Sequence, residues 1–527
     1  MVFRIIALVA LCGYQSPLMF AQLKPSQTDA FSNLQAAQNA PACSANDASS
    51  CAQAASKLTP IILGDSPMIE NLRRLTDEVG GRVTGSPEMA KAVRWGVAGF
   101  RAAGVDVHTE KYSLPVMWKE GATRIVITAP ASAAAQNASL RGVSVAWAPA
   151  TPREGIEAPV IDIGGGSDAE ISAAGSLKSA ILLVHSEIGS TWGDLFNEYL
   201  RPPAIITRAV KEGAAAILWT GEREHLLLYR HTNSLDGEID RIPQAVVARE
   251  DALRLSRRAS SQDSTQDRVR VRLSLPNEIS GPVEQENVVG EIRGYEKPDE
   301  VVILGAHLDS WELGTGALDD GCNAALVIEA ARAIKAMGVL PKRTIRFVLF
   351  SGEEQGTIGS HEYVKAHAAE MDKVRGVIIF DDGSGRTTGF SLGGRSDTEA
   401  PLRQVLKPLD AWNVNEHTAD ASFGTDNFDF LLEGVPTFVA NQDVANYLAN
   451  YHAASDTFDK VDQRELKMNT VIAALIAWGI ADRVEPIGKR LTRAELDTLV
   501  KRTGLDDQMK ALGYWEQWQS GTRGRKP

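Results

Sequence analysis

Positive charge is in short supply in this chain of 527 residues, where 55 Lys and Arg face 67 Asp and Glu for a net charge of −12. No basic stripe is present, which excludes nucleic-acid binding as the main task. The acidic balance reads chiefly as solubility. Cysteine is rarer still, with four in all. Cys322 stands alone with no His–Asn arrangement attached to it, so it reads as a small buried residue and not a nucleophile. Cys43 and Cys51 lie in a short polar segment and can close a small loop in an oxidising compartment. Long apolar runs are also missing. The run over 5–11 is far short of the roughly 20 residues that cross a bilayer, and no later run is long enough. Internal repeats are absent as well, which excludes a solenoid.

What is present begins with a secretory pattern. Arg4 supplies a positive start, the apolar run follows, and Ala21 is a fitting last residue before cleavage. Cys12 is a poor lipid-attachment site, because bulky Leu11 precedes it. The pattern implies export to a periplasm or the extracellular space. Hydrophobic content of 44% fills a sizeable core, and the length suits two or three domains. Residues 22–57, rich in Ala, Gln, Ser and Asn, read as a loosely ordered leader. Ser86 and Pro87 then open a helix as cap and first residue.

From 125 to 281 the texture turns β-rich. Short apolar runs over 124–128, 158–163, 180–184, 215–219 and 269–275 are punctuated by Gly and Pro. This reads as a separate domain inserted into another, and it carries no metal-ligand cluster. From 282 to 486 strands alternate with helices. The strands are 301–305, 344–350, 376–380 and 435–440, and the helices include 323–337 and 468–484. That order predicts an α/β, doubly wound, mostly parallel sheet covered on both faces, with sites at the carboxyl ends of its strands. The stretch 58–124 supplies the amino-terminal part of the same domain. The tail 487–527 is charged and helical.

The chemistry-bearing residues fall at those strand ends. His307 and Asp309 follow the first strand, Glu353 and Glu354 the second, and Asp381 and Asp382 the third. Asp319 and Asp320 open the next helix, and His452 lies in a polar loop before the last one. A single carboxylate there is most simply a helix cap. So many packed together repel unless cations neutralise them. Imidazole with carboxylate suits zinc, and the ligand number suits two ions sharing one carboxylate with a water between them. His361 and His367, on a helix, read as surface residues.

The segments Gly305-Ala306-His307-Leu308-Asp309-Ser310-Trp311, Gly316-Ala317-Leu318-Asp319-Asp320-Gly321 and Glu353-Glu354-Gln355-Gly356 resemble the metal-binding core of the co-catalytic zinc aminopeptidase/glutamate carboxypeptidase family. Gly424-Thr425-Asp426, Gly434-Val435-Pro436 and His452 with Asp456-Thr457 continue the order. The resemblance runs from about residue 65 to 485, and the insert looks like a protease-associated domain. It implies a secreted, two-zinc exopeptidase acting on dipeptides or short peptides, with attack by a metal-bridged water. His307 would bind one zinc, Asp319 both, and Glu354 and His452 the other. Glu353 would be the general base. Asp309 would hold the His307 ring through its carboxylate, and Asp456 would do similar work near His452. The remaining ligand is Asp381 or Asp382, with the Asp-x-Gly pattern favouring Asp381. Tyr451 would donate to the oxyanion or simply pack, and Asp426 would line the substrate pocket or cap a helix. A homodimer is among the assemblies the resemblance implies. Two other readings share the fold, a glutaminyl cyclase and a non-catalytic receptor-like binding protein. Which end of the peptide is recognised is open.

Overall fold

The computed structural model describes residues 45–130, 138–260 and 268–526. The expected signal, Cys12 and Cys43 lie outside the described residues. Two sheets organise the rest. The first has seven strands, here β1 (Asp106–Leu114), β2 (Val283–Ile292), β3 (Lys297–His307), β4 (Arg343–Phe350), β5 (Val374–Ile379), β6 (Thr387–Ser391) and β7 (Thr437–Gln442), in the spatial order β1-β2-β4-β3-β5-β7-β6. The central four, β4-β3-β5-β7, are parallel. Antiparallel pairing adds β1 and β2 at one side and β6 at the other. The expected mostly parallel sheet is therefore mixed. β1 and β2 are joined through residues 115–282 and β6 and β7 through residues 392–436, so these antiparallel pairs are closed by long excursions and not by hairpins.

Alternation along β3 splits its side chains between two cores. Val302, Leu304 and Ala306 face one core, shared with helices Cys322–Ala336 and Gln463–Asp482. Val301 and Ile303 face the other, shared with Tyr363, Val364 and Phe430. Covered on both faces, these strands read as continuous apolar runs, as a doubly wound sheet requires.

Residues 45–57 are not a loose leader. They begin the helix Ala45–Leu63, which buries Ala54, Ala55, Leu58 and Ile62 in the first core. Burial of Leu58 and Ile62, fully enclosed, is worth about 1.5–3 kcal/mol per side chain. Cys51 is buried on this helix.

The chain leaves the first sheet after β1 and rejoins it at β2. Between them it builds an eight-stranded sheet from strands such as Arg124–Ala129, Ile156–Asp162, Ile181–Val184, Ala216–Thr220, Gln244–Val247 and Arg270–Ser274. Three short helices, Arg493–Thr503, Leu505–Ala511 and Trp515–Ser520, end the chain. No described helix is long and apolar enough to cross a membrane.

Candidate metal centre

Because β3, β4 and β5 are parallel, their carboxyl ends meet at one edge of the sheet. His307 ends β3, Glu353 and Glu354 follow β4 after a two-residue turn, and Asp381 follows β5 by one residue. Asp319 reaches the same edge from the loop before helix Cys322–Ala336, and His452 from the turn after helix Tyr447–Asn450.

Two triplets form, His307–Asp319–Asp381 and Asp319–Glu354–His452, each with its ligand-type atoms within 4.8 Å of one another. The His307 Nε2 lies 3.1 Å from Asp319 Oδ1 and 3.1 Å from Asp381 Oδ1. The His452 Nε2 lies 2.9 Å from Glu354 Oε2 and 3.2 Å from Asp319 Oδ2. Each oxygen of Asp319 thus serves one triplet. The geometry brings Asp381, not Asp382, onto a histidine. All five side chains are buried.

One ring nitrogen carries at most one proton, so it can hydrogen-bond only one of the two carboxylates converging on it. A cation in each triplet satisfies all of them, and His with carboxylate is a donor set that zinc accepts. Electrostatics point the same way. Burial drives Glu354 up to about 7 and raises Glu353, Asp381 and Asp382 as well. Burial lowers His452, but Glu354 and Asp319 outweigh it and hold the ring at about 10. Asp381, Asp309 and Asp319 likewise lift His307 against its burial. This much buried negative charge calls for cations.

Around the triplets, Asp309 keeps ion-pair distance to the His307 ring and makes further contacts, whereas Asp456 departs from the sequence expectation. The nearest acceptor of His307 Nδ1 is the backbone carbonyl of Asp309 at 3.0 Å, while the Asp309 carboxylate lies at 3.7 Å. That carboxylate also accepts the Thr84 hydroxyl at 2.9 Å and the backbone N–H groups of Glu353 and Glu354 at 3.3 Å, fixing the turn that carries both glutamates. Asp456 does not hold His452. It accepts the backbone N–H groups of Ala317, Leu318 and Asp319 at 3.1, 2.7 and 3.2 Å, and so anchors the loop that presents Asp319.

The His452 ring is held from the eight-stranded region. Its Nδ1 lies 3.1 Å from the Arg230 carbonyl, and its own carbonyl accepts the Arg230 N–H at 2.9 Å. This clamp fixes a residue at φ 57, a left-handed conformation unusual for histidine. A second unforeseen residue is Arg82. Fully buried in the turn 80–86, it donates to the carbonyls of Leu308, Thr315 and Gly316 and ties both ligand loops together. A lone Arg among glycines was its only signal in the sequence.

A cavity of about 340 Å³ opens over the cluster. Glu353, which belongs to neither triplet, faces it, as does Tyr451. The Tyr451 hydroxyl pairs at 2.8 Å with that of Tyr199, and its ring stacks on His452. Trp192, Phe196 and Tyr199, from helix Trp192–Leu200 of the eight-stranded region, wall one side. Asp426 is fully buried and pushed up to about 8 by burial, neither lining the cavity nor capping the following helix. His361 and His367 are not simple surface residues, since they meet Asp429 at 2.9 Å and Glu110 at 3.0 Å.

Comparison with known proteins agrees with this arrangement. Peptidase family M28 matches residues 287–477. Carboxypeptidase Q of Rattus norvegicus is 31% identical over 420 residues, covering 79% of this chain and 85% of that protein. The crystal structure of a peptidase M28 precursor from Shewanella amazonensis superposes with a TM-score of 0.73 at 27% identity, covering 84% of this chain and 99% of that one. A zinc aminopeptidase of Bacillus subtilis shares the fold, with a TM-score of 0.62 at 18% identity over 80% of this chain and 98% of that one.

Proposed function

The chain belongs to peptidase family M28 and is a metallo-exopeptidase, and from that premise we propose that it uses two zinc ions to remove single residues from the amino end of short peptides. The observation that carries this reading is the pair of triplets joined through Asp319, with Glu353 beside them at the cavity floor. His307 and Asp381 would hold one ion, Glu354 and His452 the other, and Asp319 both. Bound zinc would supply Lewis acidity toward the scissile carbonyl and ease deprotonation of water.

The chain's own residues do the rest. Glu353 is raised by burial and by the neighbouring carboxylates Asp381, Asp426 and Glu354, the direction that makes a carboxylate a better base. It takes the proton of the attacking water and delivers it to the leaving amine. Either hydroxyl of the Tyr199–Tyr451 pair can donate; with Tyr199 as the donor, Tyr451 would turn its own proton toward the developing oxyanion.

Charge in the cavity favours the amino end. Its described lining includes Asp382 and Asp420 beyond the ligands, but no Lys or Arg. A substrate ammonium finds carboxylates there, and a substrate carboxylate finds no cationic Lys or Arg side chain among the described lining. The name of the rat relative favours the opposite end. Dipeptides blocked at either end decide between them. Amino-acid release from amidated but not acetylated dipeptides, stopped by chelation and restored by zinc, is the expected result. The reverse pattern would establish the carboxypeptidase reading, and ammonia release from N-terminal glutamine the cyclase.

The remaining parts of the reading rest on sequence. Residues 1–21 would direct export, with a mature terminus at Gln22. Residues 125–281 would form a protease-associated domain inserted between β1 and β2.

A further inference from the structure

The three terminal helices lie beyond the segment that the family matches, 287–477, yet they reach the substrate cavity. Leu499, Leu505, Met509 and Trp518 are buried against Phe428 and Leu432 in a core of their own. From that base Gln508 and Leu512 line the cavity beside Phe423 and Leu235. Three ties hold them there. The Gln508 side-chain carbonyl accepts the Phe423 N–H at 3.1 Å, fixing the segment 421–427 that forms this wall. The Tyr514 hydroxyl donates at 2.8 Å to the carbonyl of Leu235, on a loop of the eight-stranded region. Arg523 grips both oxygens of the Asp429 carboxylate at 2.8 and 2.6 Å and donates to Thr357 at 3.1 Å, three residues past Glu354. Phe196 closes the gap on the opposite wall, where a side chain placed at Gly424 would meet its ring at 3.8 Å. Phe196, Leu235, Phe423 and Leu512 therefore give the cavity an apolar stretch of wall, part of which is built by the tail.

We propose that the carboxy-terminal segment 493–526 is a specificity-determining wall of the substrate cavity, with Leu512 setting the size of the apolar side chain admitted and Gln508 and Tyr514 positioning that wall. This rests on the exopeptidase reading of the same site. Filling or emptying an apolar pocket changes discrimination between side chains by about tenfold or more for each group added or removed. A tail that merely stabilises the fold would lower all substrates by one factor.

The test uses the full chain and its Leu512→Trp, Leu512→Ala and Gln508→Ala variants, assayed on alanyl, leucyl and phenylalanyl dipeptides. Binding of free alanine and leucine is measured calorimetrically on the same samples. The leucyl-to-alanyl ratio of kcat/KM is expected to fall about tenfold in Leu512→Trp, while Leu512→Ala raises the phenylalanyl-to-alanyl ratio. Gln508→Ala is expected to raise KM more than it lowers kcat. Ratios unchanged in both Leu512 variants would overturn the proposal. Failure of the unaltered protein to release any amino acid would instead sink the exopeptidase reading, and the leucine-to-alanine binding ratio would still report on the wall.

Discussion

The carboxyl edge of the seven-stranded sheet and the face of the eight-stranded region opposite it contribute to one cavity in different ways. The sheet edge supplies His307, Asp319, Glu353, Glu354 and Asp381, and the loop before the last long helix adds His452. The eight-stranded region supplies none of these. It gives instead the carbonyl that orients His452, the hydroxyl that pairs with Tyr451, and one wall. Chemistry is concentrated in the part whose backbone is most enclosed. Orientation and selectivity are spread over segments that contact it from outside. A site of this kind is incomplete without its neighbours even when every reactive group lies on one sheet.

That contrast can be broken first at the sheet edge. Glu353→Gln is expected to lower kcat by about 10²–10⁴ with zinc content unchanged. Loss of zinc would make Glu353 a ligand and remove the division of labour described above. The tail comes next. Asp429 is buried, which alone would raise it, but Arg523 and His361 override burial and hold it at about 2 against an ordinary 3.8. A depressed folded value stabilises the protein above the ordinary value, and the benefit is lost as pH falls from near 4 toward 2. Arg523→Ala is expected to cost about 3–5 kcal/mol at pH 7, measured by urea unfolding. Asp429→Asn is expected to flatten the loss of stability between pH 4 and 2.

The eight-stranded region should show smaller effects on the chemistry. Arg230 is fully buried and pairs with Glu120 at 2.6 Å and with Glu312. Arg230→Met, which loosens the segment whose carbonyl holds His452, is expected to weaken zinc binding by about 10–100-fold, read by competition with a chelating dye. The least effect belongs to Tyr199→Phe. It removes one hydrogen bond worth about 1 kcal/mol and is expected to lower kcat roughly fivefold while KM stays within about twofold. If Arg230→Met and Tyr199→Phe leave both quantities at the native value, the eight-stranded region is only a wall.

The same contrast explains what the sequence disclosed. The apolar runs of β3, β4 and β5 are enclosed on both faces, so they stand out without any periodicity, and ligand-type residues directly follow each. The helix Ala45–Leu63 did not stand out, because over its first three turns the buried face is small, Cys51, Ala54 and Ala55, within a polar composition, and Leu58 and Ile62 come only after them. The contacts of Asp456, and those that Asp309 makes beyond the His307 ring, were hidden because proximity in sequence to a histidine says nothing about backbone N–H groups brought in by a loop. Arg230 and Tyr199 were invisible for a different reason. Arg230 holds His452 through its backbone carbonyl, which residue type does not reveal, and its side chain anchors that segment through Glu120 and Glu312. Tyr199 acts through a partner 252 positions away. The Asp-x-Gly pattern already favoured Asp381 over the adjacent Asp382, and the end of β5 brings Asp381 to His307.

The measurement that tests the central claim most directly is zinc per chain in purified protein, native and Asp319→Asn, with amino-acid release followed in the same samples. Asp319 joins both triplets. The account predicts two zinc ions in the native chain, loss of tight binding at both positions in the variant, and release that tracks zinc as it is removed and returned. A native chain that hydrolyses dipeptides with one zinc, or with none, would contradict it.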